Sequence, residues 1–265
     1  MTFPLRRSPR HRHTPSTPCT SSCWRPQLLQ PDEIEPLLIN FWARRGESAQ
    51  RLAAAGRSNT GAQARDAMHM QSMASFVRQM FIDAGLDPHD VLLDHSVPGF
   101  YRRSKEWDVV AMRRGHLVGV VELKSQESSP GNNANNRIEE AVGSAVDAHT
   151  FQEYSGLYGD LGVWAAWCMT FNLNCEGGSP IGYKFNRVPL FPVDQEFEPM
   201  TYASQYATAI QRFIATNVYN AAWMLTTWVN PDKSIGYNEP VPTATAATLR
   251  TQIEARVHFA LQVLG

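Results

Sequence analysis

An acid and a base lie two residues apart at the end of an apolar segment, "VVELKSQ", residues 120–126. If this segment is a β-strand, successive side chains alternate between its two faces, so Glu122 and Lys124 share one face and Leu123 lies on the other. A carboxylate beside an ammonium group can bind a metal ion and handle a proton. This is the only Glu-x-Lys in the chain, and we take Glu122 and Lys124 as candidate catalytic residues.

The preceding residues predict a β-hairpin. Two apolar runs, 109–112 and 117–123, flank a short polar segment that contains Gly115, which is free to adopt a positive φ in a turn. A three-residue loop centred on Gly115 would pair Arg113 with Leu117. The hairpin therefore has a defined expected register, and its open end carries the candidate residues.

That register brings a second acid to the candidate site. Counted outward from the loop, Asp108 lies opposite Glu122, and cross-strand partners share a face. Carboxylates are the ligands that Mg²⁺ prefers, and a bound metal ion polarises a phosphoryl group and lowers the pKa of water. Lys124 can hold or deprotonate that water and offset developing negative charge. The set predicts hydrolysis of a phosphodiester, although an exposed strand end whose charges only face water remains an alternative.

The charge distribution argues weakly against a nucleic-acid partner. Residues 1–31 contain five arginines and no acid, which leaves 19 basic against 25 acidic residues in the remainder, a net charge of −6. Phosphate binding usually requires a basic surface. Carboxylates gathered around a metal ion would answer this objection, because the ion offsets their charge.

The composition also predicts domains and location. Residues 1–31 are rich in Pro, Ser, Thr and Arg without hydrophobic periodicity, so we expect a disordered tail followed by one domain over 32–265. No window is apolar enough for a membrane span, and the N-terminus has no secretory apolar region. The four cysteines form no CxxC pair. We expect a reduced, cytoplasmic protein.

Hydrophobic periodicity supplies the other elements. The order of helices, hairpin, helix, strand and helices predicts an α/β fold with a small mixed β-sheet flanked by helices. The individual predictions are a helix from 34 ended by Gly46, a helix over 73–84 ended by Gly85, a strand over 90–97, a polar loop running into a helix near 138, a strand over 162–171, and helices near 201–229 and 245–264.

Several segments together resemble a known family. Asp108 and "ELK" (122–124) resemble the PD-(D/E)xK nuclease core, with Trp107 where the motif has proline. "KEWDVV", "VVELKSQ" and "GNNANNRIEEAVGSAVD" more specifically resemble the XhoI-type restriction endonucleases. Shorter matches such as "NFWARR", "PGFYR" and "TYASQY" extend the resemblance over roughly residues 33–250. Residues 69–74 depart from the family pattern, which has a Gly-Gly-Lys followed by an Asp there.

The resemblance implies a restriction-endonuclease-like core and a homodimeric, Mg²⁺-dependent enzyme that cuts double-stranded DNA at the palindrome CTCGAG or a related one. Asp108 and Glu122 would be metal ligands, and Lys124 the catalytic base or water-positioning residue. Glu106 and Glu140 would add a ligand or be structural. Two alternatives stay open: a repair or recombination nuclease without sequence specificity, and a non-catalytic DNA-binding protein of the same fold.

The candidate DNA contacts lie on either side of the hairpin's open end. The Asn-rich run has two interpretations, since Asn and Arg can read adenine and guanine edges, whereas Asn can also satisfy turns and cap a helix. Basic residues just before Asp108 are placed for phosphate contacts. The candidates are Asn132, Asn133, Asn135, Asn136 and Arg137 in the run, and Arg102, Arg103 and Lys105 before the strand.

Overall fold

The computed structural model describes residues 33–54, 67–175 and 189–265. These residues form a six-stranded mixed β-sheet with helices packed against it. The prediction for residues 1–31 lies outside these residues. The strands are adjacent in chain order, antiparallel at both edges and parallel from the third to the fifth. Their bounds are β1 Val91–Pro98, β2 Ser104–Arg113, β3 His116–Gln126, β4 Ala165–Asn172, β5 Ala221–Val229 and β6 Ile235–Asn238.

Helices cover both faces of the sheet. The helices of the described chain are α1 Ile34–Ala54, α2 Gln71–Asp83, α3 Pro130–Ser155, α4 Tyr202–Ala215 and α5 Ala246–Leu264. On β3, Val121 is buried in the cluster shared with α1, α2 and α5, whereas Val120 is buried in the cluster shared with α3 and α4. This three-layer arrangement confirms the predicted α/β fold. Within the described residues, no helix is both long and apolar enough to span a membrane.

The predicted hairpin forms, but its turn differs from the prediction. The loop has two residues, Arg114 and Gly115, both with positive φ (49° and 81°), and Arg113 pairs with His116. A register shift then adds one residue to β3, so that Val109 pairs with Val121. Two-residue loops of this kind match the twist of hairpin strands, and the bulge restores the register that the predicted longer loop had given.

Two helix predictions were wrong in their extent. Helix α1 continues through Gly46 to Ala54, because a glycine inside a helix costs only about 1 kcal/mol relative to alanine. The predicted helix over 201–229 is in fact α4 followed by a turn, with Asn217 at φ 56°, and then β5. An apolar run buried on both sides has no strand alternation, so its periodicity does not separate strand from helix. The short β6 was not predicted.

Candidate active site

The candidate catalytic pair lies in the carboxyl-terminal half of β3, within the stretch that pairs with β4 in parallel. Glu122 is 4% exposed. Its Oε1 contacts the Nζ of Lys124, and its Oε2 accepts a hydrogen bond from the Nζ of Lys105 at 2.5 Å. Both oxygens of this buried carboxylate are therefore paired with ammonium groups. The sequence placed Lys105 with the DNA contacts and did not predict its contact with Glu122.

Asp108 reaches the same segment of β3. The Oδ2 of its carboxylate accepts a hydrogen bond from the backbone N–H of Leu123 at 2.6 Å, just beyond the last recorded pair, Val109 with Val121. Burial, and then the negative charge of Glu122, raise the pKa of Asp108 to about 6. The carboxylate of Glu122 is thus close enough to destabilise the charged form of Asp108.

The donor set fits a hard divalent cation. Within the described residues, no three His, Cys, Asp or Glu side chains cluster as a metal site. The acids that could hold a cation here are the two carboxylates of Asp108 and Glu122. Mg²⁺ is usually bound by one or two carboxylates together with waters and substrate oxygens. A cation between these two acids would also relieve the repulsion that raises the pKa of Asp108.

A cleft of about 380 Å³ opens beside Glu122, between β3 and α3. Its charged side chains comprise four cations and two acids, so it is locally positive although the protein body is acidic. This local excess answers the objection that the net charge raised against a phosphate ligand. The lining residues are Arg102, Lys105, Glu122, Lys124, Arg137, Glu140, Gly143 and Ser144.

The loop that carries Arg102 is anchored by Asp147 of α3. Asp147 is 2% exposed and accepts hydrogen bonds from the N–H groups of Phe100 (2.8 Å) and Tyr101 (2.7 Å) and from the Nε of Arg102 (2.8 Å). Burial raises the pKa of Asp147, but the bond from Arg102 and the two backbone bonds outweigh it, so its pKa is lowered. A Cβ on Gly99 would lie 2.3 Å from Asp147 Oδ2, which explains the glycine. Sequence reasoning did not single out Asp147.

The Asn-rich run lies inside helix α3 and does not form the predicted loop. The helix begins at Pro130, a residue whose fixed φ suits the first helical turn, so the interpretation of these asparagines as helix caps was wrong. The side chains of Asn132 and Asn136 are exposed. Both lie in the first two turns of a helix whose next turn lines the cleft.

The remaining members of the run have partners within the protein. Asn133 donates from its Nδ2 to the carbonyl oxygen of Ser129 at 3.3 Å, and Asn135 accepts from the Nε2 of Gln205 at 2.9 Å. Arg137 and Glu140 form an ion pair at 3.0 Å within the cleft.

The two further acids considered as ligands differ in position. Glu140 lines the cleft across from Glu122. The side chain of Glu106 is exposed, and its backbone carbonyl oxygen accepts from Lys105. Arg103, one of the predicted DNA contacts, is exposed.

The segment that departs from the family pattern supports the end of β3. The Nε2 of His69 lies 2.9 Å from Ser125 Oγ and 2.5 Å from Glu127 Oε1, and Arg45 also contacts Glu127. Ser125 follows Lys124 and therefore lies on the opposite face of the strand. His69 is buried. This segment thus contacts the end of β3 on the face opposite Lys124. No sequence pattern indicated these contacts.

Comparison with known proteins agrees with these features. The model of the restriction endonuclease XhoI family matches residues 51–237. The type II restriction enzyme BstVI of Geobacillus stearothermophilus is 27% identical over 164 residues, which cover 59% of this chain and 72% of the relative. The type II enzymes XhoI of Xanthomonas vasicola and AbrI of Azospirillum brasilense are 36% and 34% identical over 121 and 118 residues.

The matches to XhoI and AbrI cover 45% and 43% of this chain, and 47% and 53% of those relatives, so the chain spans about half of their length. No solved structure matches the chain significantly. The family match covers well over half of the chain and includes the hairpin, the cleft and the Asn-rich helix. The chain belongs to the restriction endonuclease XhoI family.

Proposed function

We propose that the protein is a type II restriction endonuclease that hydrolyses phosphodiester bonds of duplex DNA at a palindrome and leaves 5′-phosphates. The observation that carries the proposal is the contact set of Asp108, Glu122 and Lys124 at the edge of a cationic cleft. Family membership supports the same reaction class. It also supports a cytoplasmic location, where such an enzyme meets incoming DNA.

Asp108 and Glu122 would hold Mg²⁺. When bound, the ion supplies Lewis-acid polarisation of a phosphoryl oxygen and lowers the pKa of water. Lys124 contacts Glu122, and its ammonium group positions the attacking water and offsets charge that develops on the phosphate. Arg102 and Arg137 line the same cleft and orient the DNA backbone, because guanidinium groups bind phosphate oxygens in a fixed geometry.

Sequence would be read from the helix beside the cleft. Asn132 and Asn136 present exposed amides, which can bond the edge of adenine bidentately. Arg103 and Lys105 contact the backbone and set the register of the complex. The proposed target is CTCGAG or a related palindrome with a central CG, because the Asn-rich run that resembles the family is kept nearly whole.

A palindromic target implies a two-fold dimer, in which each subunit reads one half-site. We assign the contact to an exposed apolar patch formed by Phe100, Tyr101, Tyr154 and Leu157. The Phe100 ring centroid lies 4.9 Å from that of Tyr101 and 5.3 Å from that of Tyr154, and Tyr154 and Leu157 are 80% and 73% exposed. The patch shares the Arg102 loop and α3 with the cleft, so a second copy seated there brings the second cleft close by.

The dimer is tested by sedimentation of the full chain. Tyr154→Glu combined with Leu157→Glu is expected to give a monomer, because two buried charges would oppose the contact. Val263→Glu on α5, across the sheet, serves as the matched control and should leave the dimer intact. A monomeric wild-type protein, or a dimer in the double variant, contradicts the assignment.

The reaction is tested by digesting plasmid and genomic DNA with and without Mg²⁺ and sequencing the ends. The proposal expects discrete fragments whose ends share one six-base palindrome. A smear or structure-dependent nicks would favour a repair or recombination nuclease. Binding without cleavage at any metal concentration would favour a DNA-binding protein of this fold, and both outcomes reject the proposal.

A further inference from the structure

Glu122 is held by two lysines, and a metal ion that uses this carboxylate must compete with them. Lys124 contacts Oε1, and Lys105 donates to Oε2 at 2.5 Å. The side chain of Lys105 is 15% exposed, so the pair is shielded from solvent. Hydrogen bonds between charged partners are roughly twice as strong as neutral ones. The bond from Lys105 therefore weighs directly against metal binding at Glu122.

Lys105 has two further anchors beside this carboxylate. Its Nζ donates to the carbonyl oxygen of Glu106 at 2.7 Å and lies 5.0 Å from the ring centroid of Trp107, which is fully buried. Carbonyl oxygens and the faces of aromatic rings both attract an ammonium group. Neither of these two contacts involves the carboxylate of Glu122.

We propose that Lys105 is a place-holding cation, by which we mean that its ammonium group balances the charge of Glu122 until the metal ion binds. In the metal-free protein it pairs with Glu122, and on metal binding it releases Oε2 and remains on Glu106 and Trp107, facing the DNA phosphate. This inference rests on the proposed role of Glu122 as a metal ligand. Two lysines balance the charges of Asp108 and Glu122, so DNA enters a site that does not repel phosphate before the metal arrives.

The role differs from that of an ordinary phosphate contact. A place-holder competes with the metal, so its removal tightens metal binding. Its removal also weakens DNA binding more without metal than with metal, because Glu122 then lacks both the metal and the balancing charge of Lys105. An ordinary phosphate contact would leave metal affinity unchanged and would weaken DNA binding equally in both conditions. Binding of the metal alone, without DNA, therefore separates the two roles.

Calorimetric titration of Mg²⁺ and Ca²⁺ into the full chain tests the inference. Lys105→Met is expected to bind either ion on the order of tenfold more tightly, since the competing charged hydrogen bond is gone. Lys105→Arg keeps the charge and should stay close to wild type. Lys233→Met, in the exposed turn between β5 and β6, removes the same charge elsewhere and should change nothing.

The outcomes distinguish this inference from the function on which it rests. A wild-type protein without saturable Mg²⁺ binding overturns both the metal assignment and the place-holder. Wild-type binding that Lys105→Met fails to tighten overturns the place-holder alone. Thermal melting without metal checks that the variant is folded, and Lys105→Gln replaces it in the same titration if it is not.

A second readout uses DNA affinity. In EDTA, Lys105→Met should lose more DNA affinity relative to wild type than it does in Ca²⁺, because bound metal supplies the charge that the lysine had supplied. An equal loss in both conditions contradicts the proposal.

Discussion

The hairpin end and the Asn-rich helix flank the same cleft but differ in how their polar groups are satisfied. At the hairpin end, Glu122 is buried and bonded to two lysines, and Asp108 bonds the backbone of Leu123. On α3, Asn132 and Asn136 point into solvent. Reacting groups have to be held in place by their neighbours, whereas groups that read bases have to stay free for a partner. The difference supports chemistry at the hairpin and recognition on the helix.

The largest expected effect is on the rate of DNA cleavage, and it concerns the hairpin end. Lys124→Ala should lower single-turnover cleavage on the order of 10³-fold, because the group that positions water and offsets charge is removed. Affinity for the same DNA should change little. Cleavage and band-shift assays measure both, with Lys233→Met as the charge-matched control. Retained cleavage in Lys124→Ala would remove this lysine from the chemistry.

The sequence predicted the hairpin region better than the helix. The spacing of Glu122 and Lys124 and the register to Asp108 follow from strand alternation, which is local and periodic. The register was right although the loop was misjudged, because the bulge compensated for the shorter turn. The Asn run gave no such rule, since asparagine suits loops and exposed helix faces alike.

Long-range partners could not be predicted from sequence. Asp147 is 45 residues from Arg102, and His69 is 56 residues from Ser125, and no spacing rule links residues so far apart. Lys105 was chosen for its positive charge near the predicted strand. Its contact with Glu122 depends on the path of residues 104–108 of β2, which lie beyond the last pair with β3, Val109 with Val121. The strand β5 was mistaken for helix because a fully buried strand shows no alternation.

The next largest effect concerns the loop that carries Arg102, which Asp147 holds beside the cleft. Asp147→Ala should lower the free energy of unfolding by about 2 kcal/mol, since three donors lose a buried acceptor. Urea unfolding measures this, with exposed Asp160→Ala as control. An unchanged free energy of unfolding would show that the loop does not depend on Asp147.

The same variant predicts a pH dependence. The pKa of Asp147 is lowered in the folded protein, so its contribution is fully present above the unfolded value of about 3.9 and is lost as the pH falls through the folded pKa. The stability difference between wild type and Asp147→Ala should therefore shrink in acid. A difference that grows as the pH falls would contradict the sign of the shift.

A smaller effect tests recognition on the helix. Asn136→Ala should weaken binding to the target site by about 1–3 kcal/mol if it reads a base, with little change on unrelated DNA. Competition binding on both DNAs gives the answer, and Asn238→Ala on β6 is the control. Equal losses on both DNAs would make Asn136 a backbone contact.

The smallest effect is expected from residues 1–31. A chain that begins at Asp32 should cut at a similar rate and at the same sequence, because the removed residues have no hydrophobic periodicity. Digestion of one plasmid by both proteins is sufficient. Loss of folding in the shortened chain would show that the tail belongs to the domain.

The central claim is that Glu122 holds the metal for cleavage and is not itself the group that binds DNA. Its most direct test compares Glu122→Gln with wild type on one plasmid in Mg²⁺, with DNA binding measured in parallel. We expect the variant to bind DNA but to produce no cleavage, because an uncharged amide is a poor ligand for Mg²⁺. Cleavage at the wild-type rate by Glu122→Gln would contradict it.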